Sequence, residues 1–532
     1  MNWCKWAYRF WLRSQRRAAA RFTDALQNPE AAQLALLRET LRANHDTIYG
    51  RRYSFADIRN FDDYQQRVPL VTADQLTDEL DRIRRGEAGV LTAERVTHLI
   101  PTSGTTSAAK LIPYTAGLQR QFNAGIGPWL VDLLTQHPDL AHGPAYWSIS
   151  PTTAVAPTDD TRVPVGFDDD TAYLGRIARH FANATLAAPS SLRTIQNLDD
   201  WRYATLGHLL RARGLRLISV WHPSFWTLLV DTLPQWWDQL TQDIRGDQWQ
   251  LPSGATLQVN STQPRLDLGG LDPTDPQSLW PNLKVISAWG DAAAKPPCDA
   301  LQRDWPHVIV QPKGILSTEA FLSLPWRGQY PAAVSSHVIE LLDDTGDALS
   351  LHQADVGGEY EAVVSTAGGL YRYRTGDRVT VTGRVAQTPT LRLLGRTQAT
   401  SDICGEKLHD HHVQQAMRNI ANTHGLLLSF SMLAPATITP PASYIWFVSH
   451  ESHPSPPNDE LLARALDQEL RNNPHYNHCR EIGQLSPIEL IHVGPYAEQN
   501  YLARMNAKGQ TLGNTKPTCL SPLADWSLYL QN

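Results

Sequence analysis

The sequence predicts an α/β fold in two parts, a large N-terminal domain and a small α+β domain at the C-terminus. Apolar strand-like segments alternate with helical segments through residues 94–325, which is typical of a sheet covered by helices. Residues 336–394 are β-dominated and predict a later antiparallel sheet. The chain has 532 residues, which is more than one hydrophobic core usually supports.

The first ninety residues are predicted to be mostly helical. Residues 30–50 carry apolar side chains at helical spacing, and the predicted helix ends at Tyr49 and Gly50. Residues 1–22 mix aromatic residues with arginines. An amphipathic helix there either packs on the protein's own body or lies on a membrane surface. The segment lacks the continuous apolar run and the small-residue cleavage site of a secretory signal.

The middle of the chain alternates strands and helices. Residues 94–100 predict a strand that ends at Pro101, and a helix is predicted over about 116–136. Residues 151–200 are rich in proline, aspartate and threonine and predict irregular structure. Buried strands are predicted within 213–223 and 282–290, and residues 308–325 predict a strand, a loop and a second strand.

The last 130 residues predict a compact α+β domain. Helices are predicted over about 406–420 and 458–472, with strands over 426–433, 443–449 and 487–494. The join near residues 394–402 divides the chain into residues 1–396 and residues 397–532.

Composition excludes several classes of protein. The formal net charge of −6 and the pI near 6.3 lack the basic footprint of a nucleic-acid binder. No run of about 18 apolar residues predicts a transmembrane segment. Five cysteines, an odd number without a CxxC pair, predict a reduced protein of the cytoplasm. The sequence predicts no particular oligomeric state.

Residues 102–110, TSGTTSAAK, form the first segment suited to chemistry. They are small and hydroxylated, and they predict a loop after a strand. Gly104 lets a ligand approach the backbone, while Ser103, Thr105 and Thr106 offer donors and Lys110 offers positive charge. Such a loop can bind the phosphates of ATP, although most loops of this composition are plain turns.

Ser317, Thr318 and Glu319 form the second segment. They follow the β-rich residues 308–314, which end in a turn glycine. A carboxylate on a loop beside a strand can ligate the Mg²⁺ that accompanies ATP. Taken alone, Glu319 is as well explained by a helix N-cap or by a surface position.

Residues 371–377, YRYRTGD, form the third segment. In a strand, Tyr371 and Tyr373 face one side and the two arginines face the other. Gly376 is expected to end the strand and to present Asp377, whose carboxylate can accept hydrogen bonds from both ribose hydroxyls of a nucleotide. The structural alternative is a paired charge ladder at a sheet edge.

Three further segments are short. Gly395 and Arg396 come first, then residues 405–408 with Lys407, and last Lys516 in a polar, glycine-containing tail. Each is uninformative alone. The order and spacing of all the segments carry more information than any one of them.

The series resembles the adenylate-forming superfamily, which includes acyl-CoA synthetases, nonribosomal adenylation domains and luciferases. The segments that carry the resemblance are TSGTTSAAK, ILSTE, YRTGD, GRTQATSDICGEKL and the late Lys516. Within it, SGTT…KLIPYT, KGILSTEAFLSLP and GLYRYRTGD resemble the Gretchen Hagen family of acyl acid amido synthetases. Residues 44–50, 68–70, 472–476 and 512–517 are similar to its bacterial members, so the likeness covers nearly the whole chain.

The resemblance implies an α/β N-terminal domain with sheets and a β-barrel-like part, followed by a mobile C-terminal lid. It implies that the 102–110 loop holds phosphate and that Glu319 binds Mg²⁺. Ser317, Thr318 and Tyr373 are expected in the nucleotide site, with Asp377 on the ribose and Arg396 on its hinge side. Lys407 matches a basic position of the superfamily, and Lys516 is expected to bridge the attacking carboxylate and the α-phosphate.

Four positions depart from the superfamily pattern. Ser107 and Ala109 replace a glycine and a proline, which changes the stiffness of the loop more than its phosphate chemistry. Ile315 stands where an aromatic residue often stacks on adenine, and Gln398 replaces the hinge aspartate.

The implied reaction is ATP-dependent activation of a carboxylic acid to an acyl-AMP with pyrophosphate release, followed by transfer of the acyl group to an amine such as an amino acid. An alternative acceptor is the thiol of coenzyme A or of a carrier protein. A degenerate binding or scaffold protein is the third hypothesis, and the intact polar site residues disfavour it. Residues 222–224 and 289–291 are candidates for the wall of the acyl pocket, with loop and core packing as the alternative.

Overall fold

The computed structural model describes most of the chain. The described residues are 3–101, 111–148, 162–165, 185–259, 268–396, 400–401, 403–404, 406, 408–437, 441–450, 458–507 and 518–530.

The α-helices of the described residues have the following bounds: α1 Trp3–Gln27, α2 Pro29–Asn44, α3 Ile48–Arg52, α4 Phe61–Arg67, α5 Thr77–Arg84, α6 Ala116–Gln136, α7 Leu198–Arg211, α8 Pro223–Val230, α9 Leu233–Asp243, α10 Pro276–Leu279, α11 Lys295–Asp304, α12 Asp410–His424, α13 Asp459–Leu470, α14 Pro474–Glu481, α15 Ala497–Ala507 and α16 Ser527–Leu530.

The strands have the following bounds: β1 His98–Pro101, β2 Leu111–Tyr114, β3 Ala145–Trp147, β4 Leu217–Ser219, β5 Gln248–Gln250, β6 Thr256–Gln258, β7 Val285–Ala288, β8 Ile309–Pro312, β9 Val338–Leu342, β10 Ala348–Ser350, β11 Glu359–Ser365, β12 Tyr373–Val385, β13 Thr388–Arg396, β14 Thr400–Ser401, β15 Leu408–His409, β16 Leu428–Thr437, β17 Ser443–His450 and β18 Glu489–His492.

The predicted helix over 30–50 is two helices. α2 ends at Asn44, and the Thr47 side chain caps α3 by accepting a hydrogen bond from the Gly50 N–H. Gly50 is therefore inside α3 and does not end α2. A Cβ at position 50 would lie 2.1 Å from the Asn44 carbonyl oxygen, so this glycine allows the start of α3 to pack on the end of α2.

The N-terminal helix α1 packs on the protein's own body, which confirms that alternative. Its Tyr8, Trp11 and Leu12 pack on a buried cluster that includes Leu133 of α6. A Cβ at Gly127 of α6 would lie 2.5 Å from Gln15 Oε1, so the two helices are in close contact. Within the described chain, no helix combines the length and the apolar character needed to cross a bilayer.

A four-stranded parallel sheet in the order β3-β4-β7-β8 positions the middle of the chain. β4 and β7, the two inner strands, are buried along their whole length, as is typical of parallel strands that are covered on both faces. A large core next to it includes Trp226, Trp249 and Trp280, all fully buried. The carboxyl ends of these four strands meet at one end of the sheet, where α/β proteins bind ligands.

A five-stranded sheet in the order β10-β9-β11-β12-β13 forms the predicted β-dominated region. One expectation for it was wrong. β12 continues from Tyr373 through Gly376 to Val385, so Gly376 does not end the strand. Gly376 has a φ of +76°, an irregularity that the strand tolerates because glycine has no Cβ.

The chain divides into two compact units. The first comprises residues 1–290, 301–375 and 380–392, and the second comprises residues 291–300, 376–379 and 393–532. In the second unit, β16, β17 and β18 form a sheet, and α12 and α13 contribute to its core with Tyr444 and Trp446. All five cysteines are free thiols.

Candidate active site

Several predicted site residues lie outside the described residues. They are Ser103, Gly104, Thr105, Thr106 and Lys110 of the first loop, with Lys407 and Lys516. Arg396 is the last residue of β13, and its side chain lies outside the description. Their roles in binding phosphate or ribose stay predictions.

Glu319 lies at the tip of a tight hairpin that follows β8. The Ile315 N–H donates to the Ser323 carbonyl, and the Ser317 N–H donates to the Ala320 carbonyl over 3.0 Å. Thr318 and Glu319 therefore occupy the turn itself, and Glu319 is 3 % exposed. This burial excludes the surface position that the sequence left open.

The Glu319 carboxylate has the character of a cation ligand. Among the described residues, no lysine, arginine or histidine nitrogen lies within 4 Å of its oxygens. A buried carboxylate costs free energy unless a cation or hydrogen-bond donors compensate its charge. Its chemistry therefore fits the predicted Mg²⁺ site, since Mg²⁺ prefers one or two carboxylates together with phosphate oxygens.

A buried histidine supports the hairpin from behind. The Phe321 N–H donates to His337 Nδ1 over 3.3 Å, and the Ser336 hydroxyl lies 2.8 Å from the same nitrogen. Burial lowers the pKa of the His337 imidazole to about 3, so the ring is neutral and Nδ1 can accept. The backbone around Glu319 is thus held by groups that carry no charge near neutral pH.

The Tyr-Arg-Tyr-Arg segment is only partly the predicted strand. Arg372 has a φ of +46° and precedes β12, so the regular alternation of side chains starts only at Tyr373. The Tyr371 hydroxyl donates to the Leu91 carbonyl over 2.7 Å. The reason for the irregularity is long-range bonding. The backbone carbonyl of Arg372 accepts a hydrogen bond from the Val71 N–H, and the Arg372 side chain pairs with the buried Glu340.

Both arginines serve ion pairs, as in the structural alternative, although β12 is an inner strand and not the edge of its sheet. Arg372 pairs with Glu340 over 3.2 Å, with both side chains buried. Arg374 pairs with Glu361 over 2.5 Å on the neighbouring strand. Both guanidinium groups therefore have structural partners on neighbouring parts of the first unit.

Tyr373 and Asp377 are both on β12 and are both about 1 % exposed. Tyr373 belongs to the first unit, as Glu319 does, and Asp377 belongs to the second. A buried aspartate on a strand suits a hydroxyl donor such as ribose. The meeting of Glu319 and Asp377 around one nucleotide stays a prediction.

The structure also reveals a cluster that sequence reasoning missed, here called the Trp–Lys cluster. Lys313 follows β8 at the carboxyl end of the parallel sheet, and its Nζ donates to Ser219 Oγ over 2.5 Å. Its Nζ lies 5.2 Å, 6.0 Å and 5.7 Å from the ring centroids of Trp129, Trp147 and Trp221.

Burial lowers the pKa of Lys313 to about 7, because the ammonium form loses its water. The indole faces compensate part of this loss through cation–π attraction. Trp289, one of the residues predicted for the acyl pocket, packs its ring 5.6 Å from that of Trp221 and belongs to the cluster. No local sequence pattern indicates the Trp–Lys cluster, because its members come from five separate segments of the chain.

His222 and Ser224, also predicted for the acyl pocket, make a structural contact with each other. The His222 ring caps α8, since its Nδ1 accepts the Ser224 N–H over 3.3 Å. Burial lowers the pKa of His222 to about 3, so the ring is neutral.

Glu406 of the second unit is also structural. Its carboxylate accepts the N–H groups of Ile403 and Cys404 and the hydroxyl of Tyr444. The thiols of Cys404 and Cys479 lie within 4.8 Å of it, a spacing that could hold a metal ion. Protein donors already occupy the carboxylate, however, so the group is better explained by the folding of this turn.

Family models match three consecutive parts of the chain. The GH3 family N-terminal domain matches residues 18–308, the central domain residues 333–396 and the C-terminal domain residues 411–523. The first model alone spans more than half of the chain. The chain belongs to the GH3 family.

Curated relatives of this GH3 protein are plant amido synthetases. The indole-3-acetic acid-amido synthetase GH3.3 of Arabidopsis thaliana is 23 % identical over 549 residues, which cover 94 % of this chain and 91 % of the relative. A probable indole-3-acetic acid-amido synthetase, GH3.11 of Oryza sativa subsp. japonica, is 23 % identical and covers 93 % and 92 %.

Solved structures share the fold of this GH3 protein. The acyl acid amido synthetase AtGH3.15 in complex with 2,4-DB superposes with a TM-score of 0.81 at 19 % identity, covering 97 % of this chain and 96 % of that one. A 2-hydroxyisobutyryl-CoA ligase in its postadenylation state superposes with a TM-score of 0.51 at 12 % identity and covers 87 % and 86 %. The adenylate-forming fold predicted from the sequence motifs is therefore confirmed.

Proposed function

We propose that this GH3 protein is an ATP-dependent ligase that joins a carboxylic acid to an amine. It activates the acid as an acyl-AMP with release of pyrophosphate and then transfers the acyl group to an amine, such as that of an amino acid, with release of AMP. The observation that carries this proposal is the match to amido synthetases across 94 % of the chain, with the three family domains in order.

Activation is needed because a carboxylate is a poor acyl donor. Attack of its oxygen on the α-phosphate displaces pyrophosphate and gives a mixed anhydride, from which AMP leaves when the amine attacks in the second step. Negative charge develops on phosphate oxygens, so positioning and electrostatics supply most of the rate. Bound Mg²⁺ neutralises phosphate charge in reactions of this kind.

The predicted residues divide this work. Glu319 holds Mg²⁺, while Ser103, Gly104, Thr105, Thr106 and Lys110 hold the phosphates. Asp377 accepts the ribose hydroxyls, Tyr373 and Arg396 flank the nucleotide, and Lys516 meets the α-phosphate. The buried Glu319 without a described basic partner supports the first of these roles.

We further propose that residues 397–532 act as a lid over residues 1–396. Movement of the lid admits the amine after the first step and keeps water from the anhydride. The proposal includes a place in the cytoplasm, which the free cysteines support.

The proposal is tested by pyrophosphate release. The purified protein, ATP and Mg²⁺ are incubated with a panel of carboxylic acids, first alone and then with each common amino acid or with coenzyme A. We expect release that depends on the acid, and a product whose mass equals the acid plus the amine minus water. If a thioester forms with coenzyme A and no amide forms with any amino acid, the acceptor in this proposal is a thiol and not an amine.

Two variants connect the activity to the site. Glu319→Gln and Asp377→Asn keep the side-chain shapes and remove the charges. We expect each to lower the acid-dependent rate by about a hundredfold or more, a typical loss for a charged catalytic contact. Glu39→Gln on the exposed face of α2 is the matched control and should keep the wild-type rate. Full activity in Glu319→Gln would remove Glu319 from the site.

A further inference from the structure

The Trp–Lys cluster presents an ammonium group and aromatic surface at the ligand-binding end of the parallel sheet. Lys313 is 6 % exposed, and Trp147, Trp221 and Trp289 are each half-buried. Two of the three indoles near the Lys313 ammonium group, those of Trp147 and Trp221, are thus partly open to solvent, and Trp289 extends this aromatic surface. All of these residues belong to the first unit.

Lys313 has hydrogen-bonding capacity that its described partners do not use. An ammonium group offers three donors, and Ser219 Oγ takes one of them. Among the described residues, no carboxylate lies within 4 Å of its Nζ, and burial alone lowers its pKa, without a contribution from a nearby charge. A buried amine of this kind is costly to charge unless an anion joins it.

We propose that Lys313 binds a carboxylate group of a ligand, and that this carboxylate is one that does not react. The indoles of the Trp–Lys cluster hold the apolar part of the same ligand. The identity of the substrate that carries this carboxylate rests on the proposed function. The binding of a carboxylate by Lys313 does not.

The reacting carboxylate is the wrong partner for Lys313. Its charge disappears when its oxygen bonds to phosphorus, so an ammonium group paired with it would stabilise the ground state more than the transition state. A carboxylate that keeps its charge through both steps has no such conflict. Two sources supply it, namely a second carboxylate on the acid substrate and the α-carboxylate of an amino-acid acceptor.

Calorimetric binding without ATP tests the inference with two matched pairs of probes. Terephthalate is compared with its monomethyl ester, and L-phenylalanine is compared with L-phenylalaninol. We expect the member with the extra carboxylate to bind about tenfold to a hundredfold more tightly in one of the pairs, as for a hydrogen bond between charged groups. The pair that shows this preference identifies the source of the carboxylate.

Lys313→Met removes the charge and keeps the length of the side chain. We expect it to fold and to bind the two members of the pair within about twofold of each other, since the charged contact is gone. Lys284→Met is the matched control, because Lys284 is exposed at the opposite end of β7 and should leave the preference unchanged. A preference that persists in Lys313→Met overturns the inference, and so does equal binding or no binding of both members of both pairs at millimolar concentration.

A second measurement needs no variant. Because most of the Lys313 amine is neutral at pH 8, terephthalate or L-phenylalanine that pairs with it must bring a proton from the buffer. We expect the binding enthalpy of the preferred probe at pH 8 to differ between two buffers of unlike ionisation enthalpy, by the amount due to nearly one proton taken up. Binding without proton uptake overturns the inference. The two proposals can fail separately. If the protein binds the carboxylate selectively but releases no pyrophosphate with any acid, the proposed function is wrong and this inference is still supported.

Discussion

At the scale of single residues, the first arginine of the YRYRTGD segment shows how a predicted site segment can contain a structural side chain. Arg372 is bound on several sides. Its guanidinium donates to Glu340 and to the carbonyl oxygens of Gln65 and Val68. Burial raises the pKa of the Glu340 carboxyl, and this effect is larger than the lowering of the same pKa by Arg372 and Gln65. The arginine is therefore needed to keep the carboxylate charged.

Arg372→Met should destabilise the first unit by about 3–5 kcal/mol, because it leaves an uncompensated carboxylate in the interior. The double variant with Glu340→Gln should recover part of that loss, since no charge remains buried. Urea unfolding followed by tryptophan fluorescence measures both. Arg202→Met, which breaks a surface pair with Asp199, should cost less than about 1 kcal/mol. A similar small loss in Arg372→Met would contradict the structural role given to it.

The sequence indicated the motif residues as candidates, but it did not indicate all of their surroundings. The sequence indicated Glu319 because a carboxylate followed a strand and a turn glycine. It could not indicate Lys313 in the same segment, because the partners Trp129, Trp147 and Trp221 lie far away along the chain. Contacts between distant segments leave no local pattern, so only the fold brings them together.

At the scale of elements, the hairpin that carries Glu319 depends on one glycine. Gly314 has a φ of +75°, and a Cβ there would lie 2.5 Å from the Ser323 carbonyl oxygen. That oxygen accepts the Ile315 N–H, which closes the hairpin. The glycine therefore permits both the left-handed backbone and the close approach of the two strands.

Gly314→Ala should destabilise the first unit by more than about 2 kcal/mol, from left-handed strain and the contact with Ser323 together. It should also lower acid-dependent pyrophosphate release, because the hairpin positions Glu319. Gly254→Ala is the matched control. Gly254 has a φ of +87° with open space around it, so it should show the strain alone, about 1 kcal/mol, and normal activity. Thermal melts and rates of the two variants separate backbone strain from displacement of Glu319.

Elements with a strong periodic pattern or an apolar run were predicted well, and those fixed by packing were not. The helix α6 occupies the predicted range of 116–136, with Thr115 as its N-cap. Gly50 and Gly376 were both taken as ends of elements, and both lie inside elements. A glycine needed for close approach or for an irregular strand looks the same in sequence as a glycine that ends an element. The helix α14 was missed although Asn473 and Pro474 give it a clear start.

At the scale of the whole molecule, the order of the motifs was sufficient to predict the family and the fold. Length and composition predicted more than one domain, and the structure divides the described chain into two compact units. The large unit also contains three histidines that bear on its stability. Burial lowers the pKa of His208 to about 4 and the pKa values of His222 and His337 to about 3.

These buried histidines predict that acid weakens the large unit. An unfolded histidine takes up a proton below about pH 6.5, whereas the folded ones stay neutral down to about pH 3 or 4. Between these limits the unfolded state binds more protons, so stability falls as the pH falls, by up to about 1.4 kcal/mol per pH unit for each histidine. Melting temperatures from pH 7 to pH 5 should therefore decrease steeply. His222→Asn keeps the cap of α8 with a side chain that suits an N-cap and should reduce this dependence by about a third. His45→Asn, at an exposed position, should leave it unchanged, and an equal effect of the two substitutions would refute the assignment to buried rings.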